Sequence, residues 1–192
     1  MARYGFKAWA ERIASEKRTA LALQGWSPLS ARALADHLNV RVWYPKEIPN
    51  ISLSVLASVE RIEPGAWSAA TIVYDGKHLV ILNSRHPPGR QSNDLMHELA
   101  HIICGHEPSQ TQPLADGTMM VTDYDSAQEE EADILGATLL LPRVALIAIM
   151  EASLTIAEAA AKYGVSEELV KMRLQRAGVF QQFSRRGRPQ SA

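Results

Sequence analysis

Residues Gln91 to His106 read QSNDLMHELAHIICGH, and the rest of the chain is best understood as support for this stretch. Inside it, His97-Glu98-Leu99-Ala100-His101 sets two imidazoles four residues apart. On an α-helix such positions share one face, one turn apart. Two ring nitrogens can then approach a single cation at about 2 Å each, which suits Zn²⁺. Glu98 lies beside that face, within reach of a water held by the metal, and is the candidate catalytic base. Leu95, Leu99, Ile102 and Ile103 would face a core. Ser92, Asn93 and Asp94 offer capping side chains at the start of the helix, and Gly105 is its expected stop.

A catalytic zinc site needs a third protein ligand and an open fourth position. A metzincin would place Gly three and His six residues beyond His101; here Gly105 is four beyond and His106 five. The Gly-His pair therefore reads as a helix end. The better candidate lies in Glu129 to Pro142, EEEADILGATLLLP. Positions 132, 135, 136, 139 and 140 make an apolar helix face, and Pro142 ends it. Glu129 and Asp133 share another side. Glu129 is the candidate metal ligand, and Asp133 the candidate acceptor for the outer N–H of a motif histidine. Glu130 and Glu131 are the fallback ligands.

HELAHIICGH followed by EEEADILGATLLLP resembles the ImmA/IrrE-type metallopeptidases, or mini-gluzincins. The family pattern in the second helix, E-x-x-A-[ND]-x-F-A-x-x-L-L-x-P, is met by Glu129, Ala132, Asp133, Leu139, Leu140 and Pro142. Leu135 and Gly136 stand where Phe and Ala are usual, and Leu135 keeps the position apolar. GFKAWAERIA near the start and ALADHLNVRVW further on are similar to the family as well. The resemblance implies an α+β zincin-like core, Zn²⁺ held by two histidines and a glutamate, and cleavage of a narrow set of intracellular proteins. Relatives cleave transcriptional repressors of mobile elements or stress regulons, so a repressor is the implied substrate.

The 192 residues suit one domain with a small appendage, and 46% of them are apolar, enough for a sizeable core. A net charge of −1 gives no global field to recruit nucleic acid. Cys104, the single cysteine, permits no disulfide framework and reads as a small core residue. No secretory leader is visible and no stretch approaches 18 apolar residues, so a soluble cytoplasmic protein with no membrane partner is expected.

Along the chain, Phe6 to Leu23 is amphipathic and helical, with Gly25 as its stop. Pro28 to Leu38 repeats the pattern and leads into a β run, Arg41 to Tyr44. Ser52 to Val59 is expected to form a short helix, and Glu63-Pro64-Gly65 a turn. Ala66 to Tyr74 and His78 to Asn83 read as strands joined by Asp75-Gly76, the strongest hairpin signal present. They predict a small sheet containing antiparallel strands beside the motif helix. Resemblance suggests that its edge strand runs along the cleft, where an extended peptide can pair with it. His78 and His86 read as surface or loop residues. Residues 107–125 form a long loop between the two ligand-bearing helices, and Tyr124 within it is a candidate oxyanion stabiliser.

Val144 to Met150 continues as an apolar helix. Thr155 to Glu158 is a capping box opening a helix to Tyr163, and Ser166 caps another to Ala177. The pair resembles a helix-turn-helix, but Glu167 and Glu168 occupy the turns that would have to face phosphate, which argues against direct DNA binding. The expected division is residues 1–150 as the metallopeptidase domain, 151–180 as a helical cap, and 181–192 as a polar tail. The competing reading is a non-enzymatic regulator of zincin shape that binds a protein partner or DNA. A closed, structural zinc site would need a fourth ligand, and no well-spaced candidate is present.

Overall fold

The computed structural model describes residues 1–61, 67–107, 111–113, 119–121, 125–179 and 183. It is a mixed α+β fold of helices with a small three-stranded sheet. The order is α1 (Phe6–Ala20), α2 (Ala31–His37), β1 (Arg41–Trp43), a short 3-10 turn, α3 (Leu53–Arg61), β2 (Ala69–Tyr74), β3 (Lys77–Leu82) and α4 (Pro88–Cys104). After these come β4 (Thr111–Pro113), β5 (Met119–Val121), α5 (Ser126–Leu140), α6 (Arg143–Glu151), α7 (Ile156–Tyr163) and α8 (Glu167–Arg176).

The sheet order is β1-β3-β2. β3 pairs antiparallel with β2, Thr71 opposite Val80, and parallel with β1, Val42 opposite Val80. The sheet is therefore mixed. The antiparallel half follows from Asp75 and Gly76, which adopt φ of 50° and 68°, the left-handed pair that a tight two-residue hairpin requires. The parallel half needs a crossover, and α3 lies on it. Among the described residues β2 is an edge of this sheet.

Helix α4 lies at the centre, against α5, α2, β2 and β3. Its Leu95, Met96, Leu99 and Ala100 are buried, and so are Ala132, Leu135 and Leu139 of α5. Small residues set the spacing of the neighbouring layer: Ala10 and Ala14 of α1 are fully buried where α1 packs on α5. Arg18, 1% exposed, binds the carbonyls of Ala14, Ser27 and Leu140 and so ties the end of α1 to the end of α5. Burial lowers its pKa to about 10, despite the opposing influence of Tyr163 and Glu11.

Several boundaries differ from the sequence expectation. Helix α4 starts at Pro88, a turn before Ser92, because proline has no N–H to satisfy in the first turn and its φ is already helical. Asn93 and Asp94 are therefore not caps: Asn93 donates to Ser166 Oγ (3.0 Å) and Asp94 pairs with His86 Nδ1 (2.7 Å). Helix α1 ends at Ala20, ahead of Gly25, with Ala22 in the left-handed region at φ 55°. The stretch 107–125 contains the antiparallel pair β4–β5 instead of loop throughout. The turn at Glu63-Pro64-Gly65 lies outside the described residues, as does the tail 181–192 apart from Phe183.

The C-terminal helices share the main core through Ala159, Tyr163, Leu169, Val170 and Leu174. Thr155 and Glu158 form the expected capping box, Ser166 caps α8, and Gly164 turns the chain at φ 63°. Tyr163 donates its hydroxyl to Trp26 O (2.9 Å). Arg173 reaches Leu141 O (2.9 Å) and Glu11 (3.1 Å). Where α4 begins, a Cβ on Gly89 would meet the Val165 carbonyl at 2.8 Å, so glycine permits this close crossing. Among the described residues no single helix is long and apolar enough to cross a membrane; α5 and α6 reach that length and composition only as a bent pair.

Candidate metal centre

Helix α4 presents His97 and His101 one turn apart, with their Nε2 atoms 3.0 Å from each other. Helix α5 brings Glu129 to the same point. Asp125 caps α5 by accepting from Ala127 N (2.8 Å), which places Glu129 in the first turn. Glu129 Oε2 lies 3.3 Å from His97 Nε2 and Oε1 lies 3.5 Å from His101 Nε2. The three side chains thus form a possible, half-buried metal site. His97 and Glu129, with Glu98 and Asp133, line a cleft of about 1240 Å³.

Asp133, one turn after Glu129, lies 3.0 Å from His97 Nδ1, on the outer side of the ring. Burial depresses the His97 pKa, but the hydrogen bond and charge of Asp133, with Glu98 and Glu129, outweigh it and the net shift is upward. His101 shifts the other way, to about 4, through burial and the neighbouring His97 and His106 rings. At neutral pH His101 therefore keeps a lone pair for a metal.

Glu98 points beside the pair and accepts a hydrogen bond from Thr71 Oγ1 on the edge strand β2. Its pKa is raised, chiefly by burial and further by Glu129 and Asp94, against the lowering influence of Thr71 and His97. A carboxylate with its pKa raised in this way is a better proton acceptor than an ordinary one.

The structure thus brings together His97, Glu98, His101, Glu129 and Asp133. Tyr124 lies outside the described residues. The fallback ligands turn away from the site. Glu130 accepts from Ala2 N (2.8 Å), and Glu131 accepts from Arg3 N (3.0 Å) and pairs with Arg3 Nε (3.3 Å). His78 is half-buried on β3, and His86 is buried against Asp94.

The sequence reading missed the place of two residues at this site, one of them read there only as part of a helix end. Thr71 is one. The other is His106, whose Nδ1 lies 3.0 Å from His101 Nδ1 and whose Nε2 lies 3.3 Å from Glu131. A signal for His106 was present. Gly105 N bonds to Ile102 O and His106 N to His101 O, a Schellman end with Gly105 in the left-handed region at φ 68°. That motif folds the residue after the glycine back onto the residue five before it. A glycine-histidine pair after the motif therefore delivers an imidazole to the back of His101. Thr71 gives no comparable local sign.

Residues 58–175 match the family described as IrrE N-terminal-like domain, peptidase M78. The chain belongs to this family, the ImmA/IrrE family. No curated protein matches it significantly. Among solved structures, a Mycobacterium tuberculosis transcriptional regulator is similar, with a TM-score of 0.50 and 14% identity, covering 91% of this chain. At that identity the likeness concerns the fold. This family member spans 47% of the regulator's chain.

Proposed function

We propose that the chain is a zinc-dependent endopeptidase acting on a specific intracellular protein, with a transcriptional repressor as the substrate class that family resemblance supplies. One observation carries the reading: His97, His101 and Glu129 converge from two helices at separations of 3.0, 3.3 and 3.5 Å. Ligands about 2.0–2.1 Å from a tetrahedral zinc stand about 3.3 Å apart, so the donor set fits in both chemistry and spacing. Two neutral imidazoles and one carboxylate would leave a +1 centre with a fourth corner for the reacting groups.

Zinc, when bound, would supply Lewis acidity, polarising the scissile carbonyl and lowering the pKa of the attacking water. Asp133 accepts the Nδ1 proton of His97 and so keeps the Nε2 lone pair turned inward. Glu98 takes the proton of the water through one carboxylate oxygen and returns it to the leaving amine, while Thr71 holds the other oxygen in place. β2 is a sheet edge and Ser68 and Ala69, at its start, line the same cleft, which favours an extended substrate adding to this edge. Residues 151–180 would act as a support for α4 and α5, not as a DNA reader.

The direct test is to incubate the zinc-loaded protein with candidate repressors, with and without chelator, and to read fragments by intact mass. Chelator-sensitive cleavage at a defined bond is expected. Stoichiometric zinc binding with no cleavage of any repressor, but tight partner binding, would instead favour a regulator.

A further inference from the structure

A second group of metal-ligating side chains lies on the far side of His101. Cys104 and His106 close helix α4, and Glu131 faces them from α5; their donor atoms lie within 4.8 Å of one another. We propose that Cys104, His106 and Glu131 form a second site for a thiophilic divalent cation, and that this rear site and the His97–His101–Glu129 site cannot be filled together. The second half of the proposal rests on reading the front trio as the catalytic metal centre.

The donor chemistry suits such a cation. A thiolate, an imidazole and a carboxylate are all ligands of Zn²⁺ and its heavier relative Cd²⁺, and the soft sulfur favours them over Mg²⁺ or Ca²⁺. Two negative ligands and a neutral ring would leave a neutral site, which a half-buried position tolerates. Arg3 engages Glu131 through Oε1, and Oε2 is the oxygen turned toward His106. The side chains of His106 and Glu131 are only 8% and 10% exposed, so both are already held in place.

The exclusion follows from a single hydrogen bond. His101 Nδ1 and His106 Nδ1 face each other at 3.0 Å, and such a bond needs one N–H and one lone pair. With a cation on His101 Nε2, that neutral ring carries its proton on Nδ1 and donates it to His106. His106 must then carry its own proton on Nε2, directed at Glu131, and that nitrogen has no lone pair to offer. With a cation on His106 Nε2 the arrangement reverses. His106 donates from Nδ1, the His101 proton moves to Nε2, and the front site loses a ligand. Each ring keeps one proton throughout, and the thiol proton of Cys104 leaves to solvent on binding.

Because the chain has one cysteine, a thiolate-to-cadmium ultraviolet absorption band reports the rear site alone. Protein loaded with one equivalent of Zn²⁺ is titrated with Cd²⁺ while released zinc is followed with a chromophoric indicator. The band should grow in step with zinc release. In Cys104→Ser the band should be absent and zinc retained at the same cadmium doses. In His97→Ala, which weakens the front site, the band should saturate at one equivalent. Absence of the band from both wild type and His97→Ala would remove the rear site. A saturated band with zinc still bound would overturn the exclusion, as would equal zinc release from Cys104→Ser. If wild type takes up no zinc while the band still forms, the front-site reading fails, and the exclusion with it, while the rear site stands. Far-ultraviolet circular dichroism identifies any variant that has unfolded, and Cys104→Ala then replaces Cys104→Ser.

Discussion

Gly136 lies directly against the backbone of His97. A Cβ at position 136 would sit 3.3 Å from the His97 Cα and N and 3.2 Å from Met96 O. Helix α5 therefore approaches α4 closely at the turn that carries the first histidine of the candidate metal site, and Glu129 reaches that histidine from the same helix. Gly136→Val is expected to overpack this contact at a cost of about 1–3 kcal/mol, partly offset by better helix propensity. Thermal unfolding should fall by several degrees, and zinc affinity should fall with it. An unchanged melting temperature with unchanged affinity would show that the two helices can separate freely.

Glu98→Gln should bind zinc as the wild type does and lose cleavage by about 10²–10⁴-fold, the usual worth of a positioned acid–base group. The check pairs a zinc titration with a cleavage assay. Cleavage at the normal rate would place the proton transfer elsewhere.

Thr71→Val removes the hydroxyl that holds Glu98. An unsatisfied buried acceptor costs about 1–3 kcal/mol, so kcat should drop about 5- to 100-fold with zinc binding intact. Thr71→Ser should restore most of it. Failure of the serine to rescue would mean that the methyl contact matters and the hydroxyl does not.

Asp133→Ala leaves the outer nitrogen of His97 without its carboxylate. Zinc affinity should weaken about 10- to 100-fold, as is usual on losing such a partner, and a competition titration against a chelating indicator measures it. Full affinity in this variant would remove Asp133 from the site.

Zinc affinity should also fall as pH is lowered, in two stages. Protonation of an imidazole nitrogen excludes the metal. His97 has a pKa above its ordinary value of 6.5, so it takes a proton first, whereas His101 resists until about 4. Between these values each zinc released should take up one proton. Affinity should level off above the His97 pKa and fall more steeply once pH approaches 4. Indicator titrations across pH check this; a single two-proton step near 6.5 would contradict the assigned order.

What the sequence disclosed follows from the reach of each interaction. His97, Glu98 and His101 lie within one helical turn, so their spacing alone states the geometry. Asp75-Gly76 and Thr155-Ile156-Ala157-Glu158 are likewise complete local signals, and both form as read. The choice of Glu129 over Glu130 and Glu131 depends on how α5 is rotated against α4, which the apolar face at 132, 135 and 139 fixes. The partnership of Thr71 with Glu98 joins a strand to a helix through tertiary packing, and no spacing rule encodes it. The parallel pairing of β1 was hidden for the same reason. At the start of α4, local capping propensity at Ser92 to Asp94 gave way to proline at 88 and to tertiary partners for Asn93 and Asp94.

Glu131 is held by Arg3, 128 positions earlier in the chain, and α1 packs on the same helix. During translation His97 and His101 leave the ribosome before Glu129, which joins them, and before Glu131, so Arg3 has nothing to clasp until that later helix appears. Both carboxylates, Glu129 toward the paired imidazoles and Glu131 toward Arg3, thus arrive together on one late-made helix.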